Sequence, residues 1–160
     1  MPTSSITFSC SDDLPTAAPH HVWVVQWDGS HMPCGAVIGL TIRRQNCPPA
    51  IAASIPVHAR DATRTEALGP PIAALLLSTL PPTSHYHFIG DSRFVVDMFT
   101  SRTSLADLFH YHFRKLACDL IDTRLLQASW VLREFNKECD ALARAAATFG
   151  SVTLTTQAEF

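Results

Sequence analysis

The sequence predicts an α/β domain in which a mixed five-stranded sheet is flanked by helices. Three β-rich segments follow one another through short connections, which indicates an antiparallel meander. Beyond them, segments with helical spacing alternate with two further β-type segments, and strands reached through helices can lie parallel to the first strand. The chain has 160 residues, of which 47% are hydrophobic and 16% charged. This length is sufficient for one domain with a substantial core.

The meander is predicted over residues 22–27, 36–42 and 50–57. Residues 22–27 (VWVVQW) are almost all β-branched or aromatic, which is typical of a strand that is apolar on both faces and central in its sheet. The Asp-Gly-Ser sequence at 28–30 is predicted as the turn that ends this strand. Residues 43–49 are predicted as the turn between the second and third strands.

The rest of the domain is predicted to alternate helices and strands. A helix over 63–80 has apolar residues at helical spacing and is stopped by Pro81-Pro82. The fourth strand is predicted over 85–89 and the fifth over 126–132. Further helices are predicted over 92–99, 104–121 and 136–149. Residues 1–20 are predicted as a flexible leader and 151–160 as a frayed tail, so that the domain covers 21–150.

Composition narrows the classes of function. The sequence has no run of about 18 apolar residues and no secretory signal pattern, so neither a membrane span nor export is predicted. The five cysteines are scattered without a CxxC pair, which favours a reduced, intracellular protein of the nucleus or cytoplasm. The net charge of −2 predicts that any phosphate contact is local. Arg43-Arg44, at the predicted hairpin tip, is either a solvated pair or such a contact.

Four carboxylates are the candidate functional residues. Asp28 and Asp91 each follow a predicted strand, and parallel neighbouring strands end at one rim of a sheet. Glu66 lies near the start of the first long helix and Asp140 in the first turn of the last, so both can reach that rim. Clustered acids need a cation to offset their repulsion, and oxygen ligands suit Mg²⁺ or Mn²⁺. Four acids suit two such ions roughly 3.5–4 Å apart.

Each acid also has a purely structural interpretation. Asp28 and the glycine after it form a common turn pair, and Glu66 completes a capping-box pattern. Asp91 is placed like a helix N-cap. Asp140 fits a solvated helix acid that pairs with Arg144 at i+4. Because all four occur together at the right strands and helices, the functional interpretation is favoured.

These acids and their surroundings resemble the ribonuclease H type 1 family over residues 22–149. The similarity consists of Asp-Gly-Ser at 28–30, the glutamate before the helix, Gly-Asp-Ser at 90–92, and Arg-Glu-x-Asn-Lys-Glu-x-Asp-x-Leu-Ala at 133–143. The last motif is the most specific, and it is similar to plant-type, archaeal-like and retroelement-borne members. The resemblance implies a ribonuclease H-like fold and metal-dependent endonucleolytic hydrolysis of the RNA strand in RNA–DNA hybrids.

The resemblance also implies residue roles and partners. The metal-binding catalytic set for two Mg²⁺ or Mn²⁺ ions would be Asp28, Glu66, Asp91 and Asp140. The residues next to the substrate would be Gly29, Ser30, Ser92, Arg93, Arg133 and Asn136. The implied partner is an RNA–DNA hybrid, and a retroelement origin would add a neighbouring reverse transcriptase.

Three departures from the family's pattern keep a second hypothesis open. Gly69-Pro70-Pro71 falls just after Glu66, and a proline inside a helix removes a hydrogen bond and kinks the axis, which costs about 3 kcal/mol. The sequence also lacks the histidine loop and the basic protrusion found in some members. The alternative is a catalytically degenerate ribonuclease H-like domain that binds nucleic acid or acts as a scaffold, as part of a retroelement polyprotein.

Overall fold

The computed structural model describes residues 4–7, 22–83, 85–99, 126–149 and 153–156. Their strands form one mixed sheet in the order β1-β6-β5-β2-β3-β4-β7. The strands are β1 Ser4–Thr7, β2 Val22–Met32, β3 Gly35–Arg44, β4 Pro49–Val57, β5 His85–Gly90, β6 Leu126–Trp130 and β7 Thr153–Thr156. The helices are α1 Ala62–Ala67, α2 Gly69–Leu77, α3 Arg93–Phe99 and α4 Lys137–Phe149, and the 3-10 turn Arg133–Phe135 precedes α4.

The five central strands have the predicted arrangement. Strands β2, β3 and β4 form an antiparallel meander. Strand β5 pairs in parallel with β2, and β6 pairs in parallel with β5. Helices flank this sheet, with α4 packed on the meander and α3 on β5 and β6. The predicted fold class is therefore confirmed.

Two short edge strands extend the predicted sheet. Strand β1 pairs antiparallel with β6, and β7 pairs antiparallel with β4. They fall within 1–20 and 151–160, the ranges predicted as leader and tail. Their sequences, SSIT and TLTT, are polar and four residues long, so they carry no hydrophobic period from which a strand could be predicted. They pair through the open backbone groups at the two edges of the five-stranded sheet.

The turn predicted at 28–30 is wrong. Strand β2 continues through these residues to Met32, paired with β3 from Asp28↔Gly39 to Met32↔Gly35. The chain reverses only after Met32, where Gly35 has a φ of +147° that L-residues rarely adopt. The parallel pairing with β5 stops earlier, at Trp27↔Gly90. Asp28 is therefore the first residue of β2 beyond the end of β5, and it is held on its other side by β3.

The single helix predicted over 63–80 is wrong in one respect, because it is two helices. Helix α1 begins after the N-cap Asp61, whose Oδ1 accepts a hydrogen bond from the Arg64 amide at 2.8 Å. It ends at Ala67, and its C-cap Leu68 is also the N-cap of α2. Pro70 and Pro71 occupy the first turn of α2, where a missing N–H leaves no intrahelical hydrogen bond unmade.

Tight packing joins α4 to the sheet. A Cβ added at Gly39 of β3 would lie 2.0 Å from the Cys139 carbonyl oxygen and 2.6 Å from the Ala143 nitrogen. The Ser54 hydroxyl of β4 donates a hydrogen bond to the Leu142 carbonyl oxygen at 2.6 Å. Only glycine at position 39 lets the helix backbone approach the strand this closely.

The other sequence predictions have mixed outcomes. The helix predicted over 92–99 is confirmed as α3, whereas the one predicted over 104–121 lies outside the described residues. Within the described ranges, no helix combines the length and apolar character needed to cross a bilayer. Of the cysteines in those ranges, Cys34, Cys47 and Cys139 are free thiols.

Candidate metal centre

Asp28 and Asp91 lie at one rim of the sheet because their strands are parallel neighbours. Asp28 is one residue past the last β2–β5 pair, and Asp91 directly follows the last residue of β5. The Asp28 side chain is buried, with a relative exposure of 4%. The Trp130 indole at the end of β6 donates a hydrogen bond to the Asp91 carbonyl oxygen at 3.1 Å. The backbone that carries Asp91 is therefore fixed by the next strand of the sheet.

Glu66 reaches the same rim from α1. Its Oε1 accepts a hydrogen bond from the Gly29 amide at 3.0 Å, and that amide also lies 3.0 Å from Oδ1 of Asp28. Helix α1 lies directly against Gly29, where an added Cβ would be 3.0 Å from both the Glu66 nitrogen and Cγ2 of Thr65. The break at Gly69-Pro70-Pro71 thus leaves Glu66 in a helix of its own, beside Asp28.

The three carboxylates converge. Asp28, Glu66 and Asp91 each offer an oxygen within 4.8 Å of the other two. Burial is the main cause that raises the pKa of Asp28, to about 6, and negative Asp91 adds to it. Burial and the interaction with Asp28 raise the pKa of Glu66 to about 10. Without a cation the Asp28–Glu66 pair therefore retains one proton at neutral pH.

The donor set fits a divalent cation. Oε2 of Glu66 is buried and has no hydrogen-bond partner among the described residues. A buried carboxylate oxygen without a partner is unfavourable, and a cation would provide one. Three carboxylates around one position are ligands that Mg²⁺ and Mn²⁺ prefer. The triad of Asp28, Glu66 and Asp91 is thus compatible with divalent metal binding.

Asn136 holds Asp91 in place. Its Nδ2 donates to the Trp27 carbonyl oxygen at 2.8 Å and to Oδ2 of Asp91 at 3.2 Å, and its side chain is buried. Burial raises the pKa of Asp91, while this hydrogen bond and the positive charge of Arg133 lower it. The resemblance implies that Asn136 lies next to the substrate. Within the described residues, the structure shows its contact with Asp91.

Asp140 adjoins the triad without joining it. Its Oδ1 accepts a hydrogen bond from Nε of Arg144 at 3.1 Å, the i+4 ion pair that the structural interpretation predicted. Its negative charge nevertheless contributes to the raised pKa of both Asp28 and Asp91. Asp140 is therefore close enough to act on the triad electrostatically, although it is not one of the three converging ligands.

The remaining predicted site residues lie around the rim. Gly29 and Ser30 belong to β2. Oγ of Ser92 is 3.4 Å from the Val95 amide, the position of a weak cap at the start of α3. The Arg93 guanidinium lies over the Trp130 ring, 5.6 Å from its centroid.

The arginine pair predicted at the hairpin tip lies at the end of β3. Arg43 binds both carboxylate oxygens of Glu138 in α4, at 2.8 and 2.9 Å. The Arg44 guanidinium lies 4.5 Å from the centroid of the Trp23 ring. Both side chains therefore have intramolecular partners, which disfavours the phosphate-contact interpretation of this pair.

Sequence reasoning missed three aromatic residues near the rim. Trp27 was predicted only as part of an apolar strand, but its Nε1 donates to the Glu66 carbonyl oxygen at 3.1 Å. Phe94 and Phe135 have relative exposures of 58% and 44%, and they stand close in sequence to Asp91 and Asn136. The proline four residues after Glu66 signals that this carbonyl needs another donor, but it does not identify Trp27 as that donor. Hydrophobic periodicity gives no such signal for the two phenylalanines.

The sequence matches no protein-family model and no curated protein. Known structures do match. RNase H1 from the halophilic archaeon Halobacterium salinarum superposes with a TM-score of 0.72 at 17% identity, covering 81% of this chain and 99% of that one. LC11-RNase H1 in complex with an RNA/DNA hybrid superposes with a TM-score of 0.70 at 15% identity, covering 80% of this chain and 98% of that one.

A viral protein matches as well. The foamy viral protease-reverse transcriptase in complex with an RNA/DNA hybrid has a TM-score of 0.62 at 13% identity, covering 88% of this chain and 22% of that one. A solution structure of the PFV RNase H domain matches with a TM-score of 0.57 at 12% identity. At identities this low the likeness establishes the fold. The chain has an RNase H-like fold that structurally matches type 1 and retroviral RNase H domains.

Proposed function

We propose that this chain is a metal-dependent endonuclease that hydrolyses the RNA strand of RNA–DNA hybrids. The observation that carries the proposal is the convergence of Asp28, Glu66 and Asp91 within 4.8 Å at the rim of an RNase H-like sheet. The unpartnered buried oxygen of Glu66 supports it, because a bound cation would give that atom a partner. Two structural neighbours are complexes with RNA/DNA hybrids.

Mg²⁺ or Mn²⁺, in a site for two ions, would supply Lewis acidity at the scissile phosphate and a more acidic water. Asp28, Glu66 and Asp91 would hold the metal, and Asp140 at the edge of the triad would complete the set. The 3.2 Å hydrogen bond from Asn136 restricts rotation of the Asp91 carboxylate. Cleavage would leave a 5′-phosphate on one product and a 3′-hydroxyl on the other.

The hybrid would contact residues around the rim. Arg93 and Arg133 flank Asp91 and are the proposed phosphate contacts, because a guanidinium can donate two parallel hydrogen bonds to a phosphate. Gly29, Ser30, Ser92 and Asn136 are proposed as the other neighbours of the substrate. With a net charge of −2, the domain has little long-range attraction for nucleic acid. A reverse transcriptase in the same polyprotein is the partner we propose to contribute additional binding.

Cleavage of a labelled RNA–DNA hybrid tests this function. The wild type is incubated with Mg²⁺ or Mn²⁺, with EDTA as one control and the Asp91→Asn protein as another. We expect metal-dependent cutting of the RNA strand that both controls lack. An intact hybrid at high protein concentration, with a reference ribonuclease active in the same buffer, would contradict it.

The second candidate is a degenerate RNase H-like domain that binds nucleic acid or serves as a scaffold. The Asp140–Arg144 ion pair favours it, because a carboxylate engaged by arginine is a weaker metal ligand. The geometry at Glu66 does not favour it, because α1 brings that residue to Asp28 despite the prolines. Calorimetric titration with Mn²⁺ separates the candidates, since saturable binding supports the enzyme and its absence supports the scaffold.

A further inference from the structure

Trp27 fills a slot between the sheet and the start of α2. Its side chain is fully buried, with a relative exposure of 0%. A Cβ added at Gly69 would lie 2.2 Å from Cδ1 of the Trp27 ring, and one added at Gly90 would lie 2.7 Å from Cζ2. Glycines therefore flank the indole at both positions, and the ring has little freedom to move.

The end of α1 leaves a carbonyl that needs a donor. In a continuous α-helix the Glu66 carbonyl oxygen would accept from the amide of residue 70, but Pro70 has no N–H. The Leu68 amide lies near this oxygen as part of the helix end. The Trp27 indole supplies a further donor, with its Nε1 3.1 Å from the Glu66 oxygen. A strand side chain thus takes the place of the helix amide that proline removes.

We propose that Trp27 is a positioning residue for Glu66, an inference that rests on the proposed metal site. Strand β2 holds Glu66 at two points. The Trp27 indole donates a hydrogen bond to the Glu66 backbone carbonyl oxygen. Two residues further along the strand, the Gly29 amide donates to the Glu66 carboxylate at 3.0 Å. Because metal ligation demands placement within about 0.5 Å, the Gly-Pro-Pro break is compatible with ligation only while the indole holds the end of α1.

Trp23 provides a matched control. It lies four residues before Trp27 on β2, so the two side chains share a face of the sheet. It is also buried, at 1% relative exposure, and its Nε1 donates to the Pro81 carbonyl oxygen at 2.9 Å. Trp27→Phe and Trp23→Phe therefore remove the same kind of group and the same kind of hydrogen bond. Only the first removes a contact to Glu66.

Two readouts report on Glu66 without requiring cleavage. The first is hydrogen exchange of the Gly29 amide by NMR, because this amide donates to the Glu66 carboxylate. We expect Trp27→Phe to accelerate its exchange about fivefold more than Trp23→Phe does. The second is the Mn²⁺ dissociation constant, which we expect Trp27→Phe to raise about tenfold while Trp23→Phe leaves it unchanged.

Equal effects of the two variants on Gly29 exchange would overturn the proposal. The Gly29 readout needs neither metal nor hybrid, so it decides the role of Trp27 even if the wild type cuts nothing. Failure of the proposed function would appear separately, as an intact hybrid in the wild-type assay. If Trp27→Phe does not fold, β-(3-benzothienyl)alanine at position 27 keeps the ring shape and removes the N–H. The same outcomes then apply.

Discussion

Helices α1 and α4 each carry an acid to the rim, but they place it differently. Helix α1 has six residues, and the strand backbone beside it binds the Glu66 carboxylate directly. Helix α4 has thirteen residues and packs closely on Gly39, yet its Asp140 carboxylate pairs with Arg144. Helix length and tight packing therefore do not determine where an acid points. What places Glu66 is a pair of hydrogen bonds from β2.

Substitution of the acids should produce the largest difference between the two helices. Asp28→Asn, Asp91→Asn or Glu66→Gln should lower single-turnover cleavage at least about a hundredfold, because metal ions supply several kcal/mol to the transition state and about 1.4 kcal/mol is tenfold in rate. Asp140→Asn should cost less, since its carboxylate lies outside the triad. Circular dichroism checks that each variant folds. An equal loss in Asp140→Asn would remove the distinction between the helices.

Gly39→Ala should weaken the packing of α4 on the sheet while leaving the contacts of α1 with β2 intact. The new methyl group would collide with the backbone of Cys139, so we expect a loss of about 1–3 kcal/mol in the free energy of unfolding. Urea denaturation measures it. Ser54→Ala serves as the control, because it removes the hydrogen bond to Leu142 in the same helix without a clash. The Gly29 amide should keep its exchange rate in Gly39→Ala, and a large acceleration would show that the two helices share one support.

The pH dependence of stability should report on Glu66 in the metal-free protein. Its pKa is raised from 4.5 to about 10 in the folded state, so between these values the folded state binds more protons than the unfolded state. The free energy of unfolding should therefore fall as the pH rises. The window from pH 7 to 8 isolates this effect, because the lowered pKa of His87, about 4, and the raised pKa of Asp28, about 6, act at lower pH. The pKa of Cys139, raised from 9.0 to about 12, acts nearer pH 9 and above.

Thermal unfolding at pH 7, 7.5 and 8 provides the measurement. Glu66→Gln should flatten the slope, since a glutamine does not titrate in this range. Saturating Mn²⁺ should also oppose the fall, because it binds the deprotonated carboxylates. A wild-type slope that persists in Glu66→Gln would assign the pH dependence to other groups.

The smallest expected effect concerns the ion pair on α4. Arg144→Ala releases Asp140, and the affinity for Mn²⁺ should rise by no more than about fivefold, because such exposed pairs contribute about 0.2–1 kcal/mol. Titration calorimetry measures this change. Lys137→Ala is the control, since it removes the same charge from the same helix. A rise above tenfold in Arg144→Ala alone would mean that Asp140 joins the triad once it is released.

Much of the fold followed from local patterns. The order of the five central strands could be predicted because strand and helix periods alternate clearly along the chain. The positions of Asp28 and Asp91 followed from this order, since parallel strands end at one rim. The length of β2 could not be predicted, because Asp-Gly-Ser is a typical turn sequence and its pairing with β3 overrides that tendency. Strands β1 and β7 were missed for want of an apolar pattern.

The details of the site depend on contacts between distant residues. The prolines after Glu66 were visible in the sequence, but their outcome depends on Trp27, 39 residues away. Asn136 was predicted as a site residue, but its contact with Asp91 spans 45 residues. No local pattern encodes either contact. The residue types at the rim could therefore be predicted, whereas the hydrogen bonds that orient their side chains could not.

Titration of the metal-free protein with Mn²⁺, beside Glu66→Gln, tests most directly whether α1 completes a metal site. We expect saturable binding to the wild type that Glu66→Gln weakens at least about tenfold, with both proteins folded. Absence of saturable binding to the wild type, or equal affinity in both proteins, would contradict the assignment of Asp28, Glu66 and Asp91 as one metal centre.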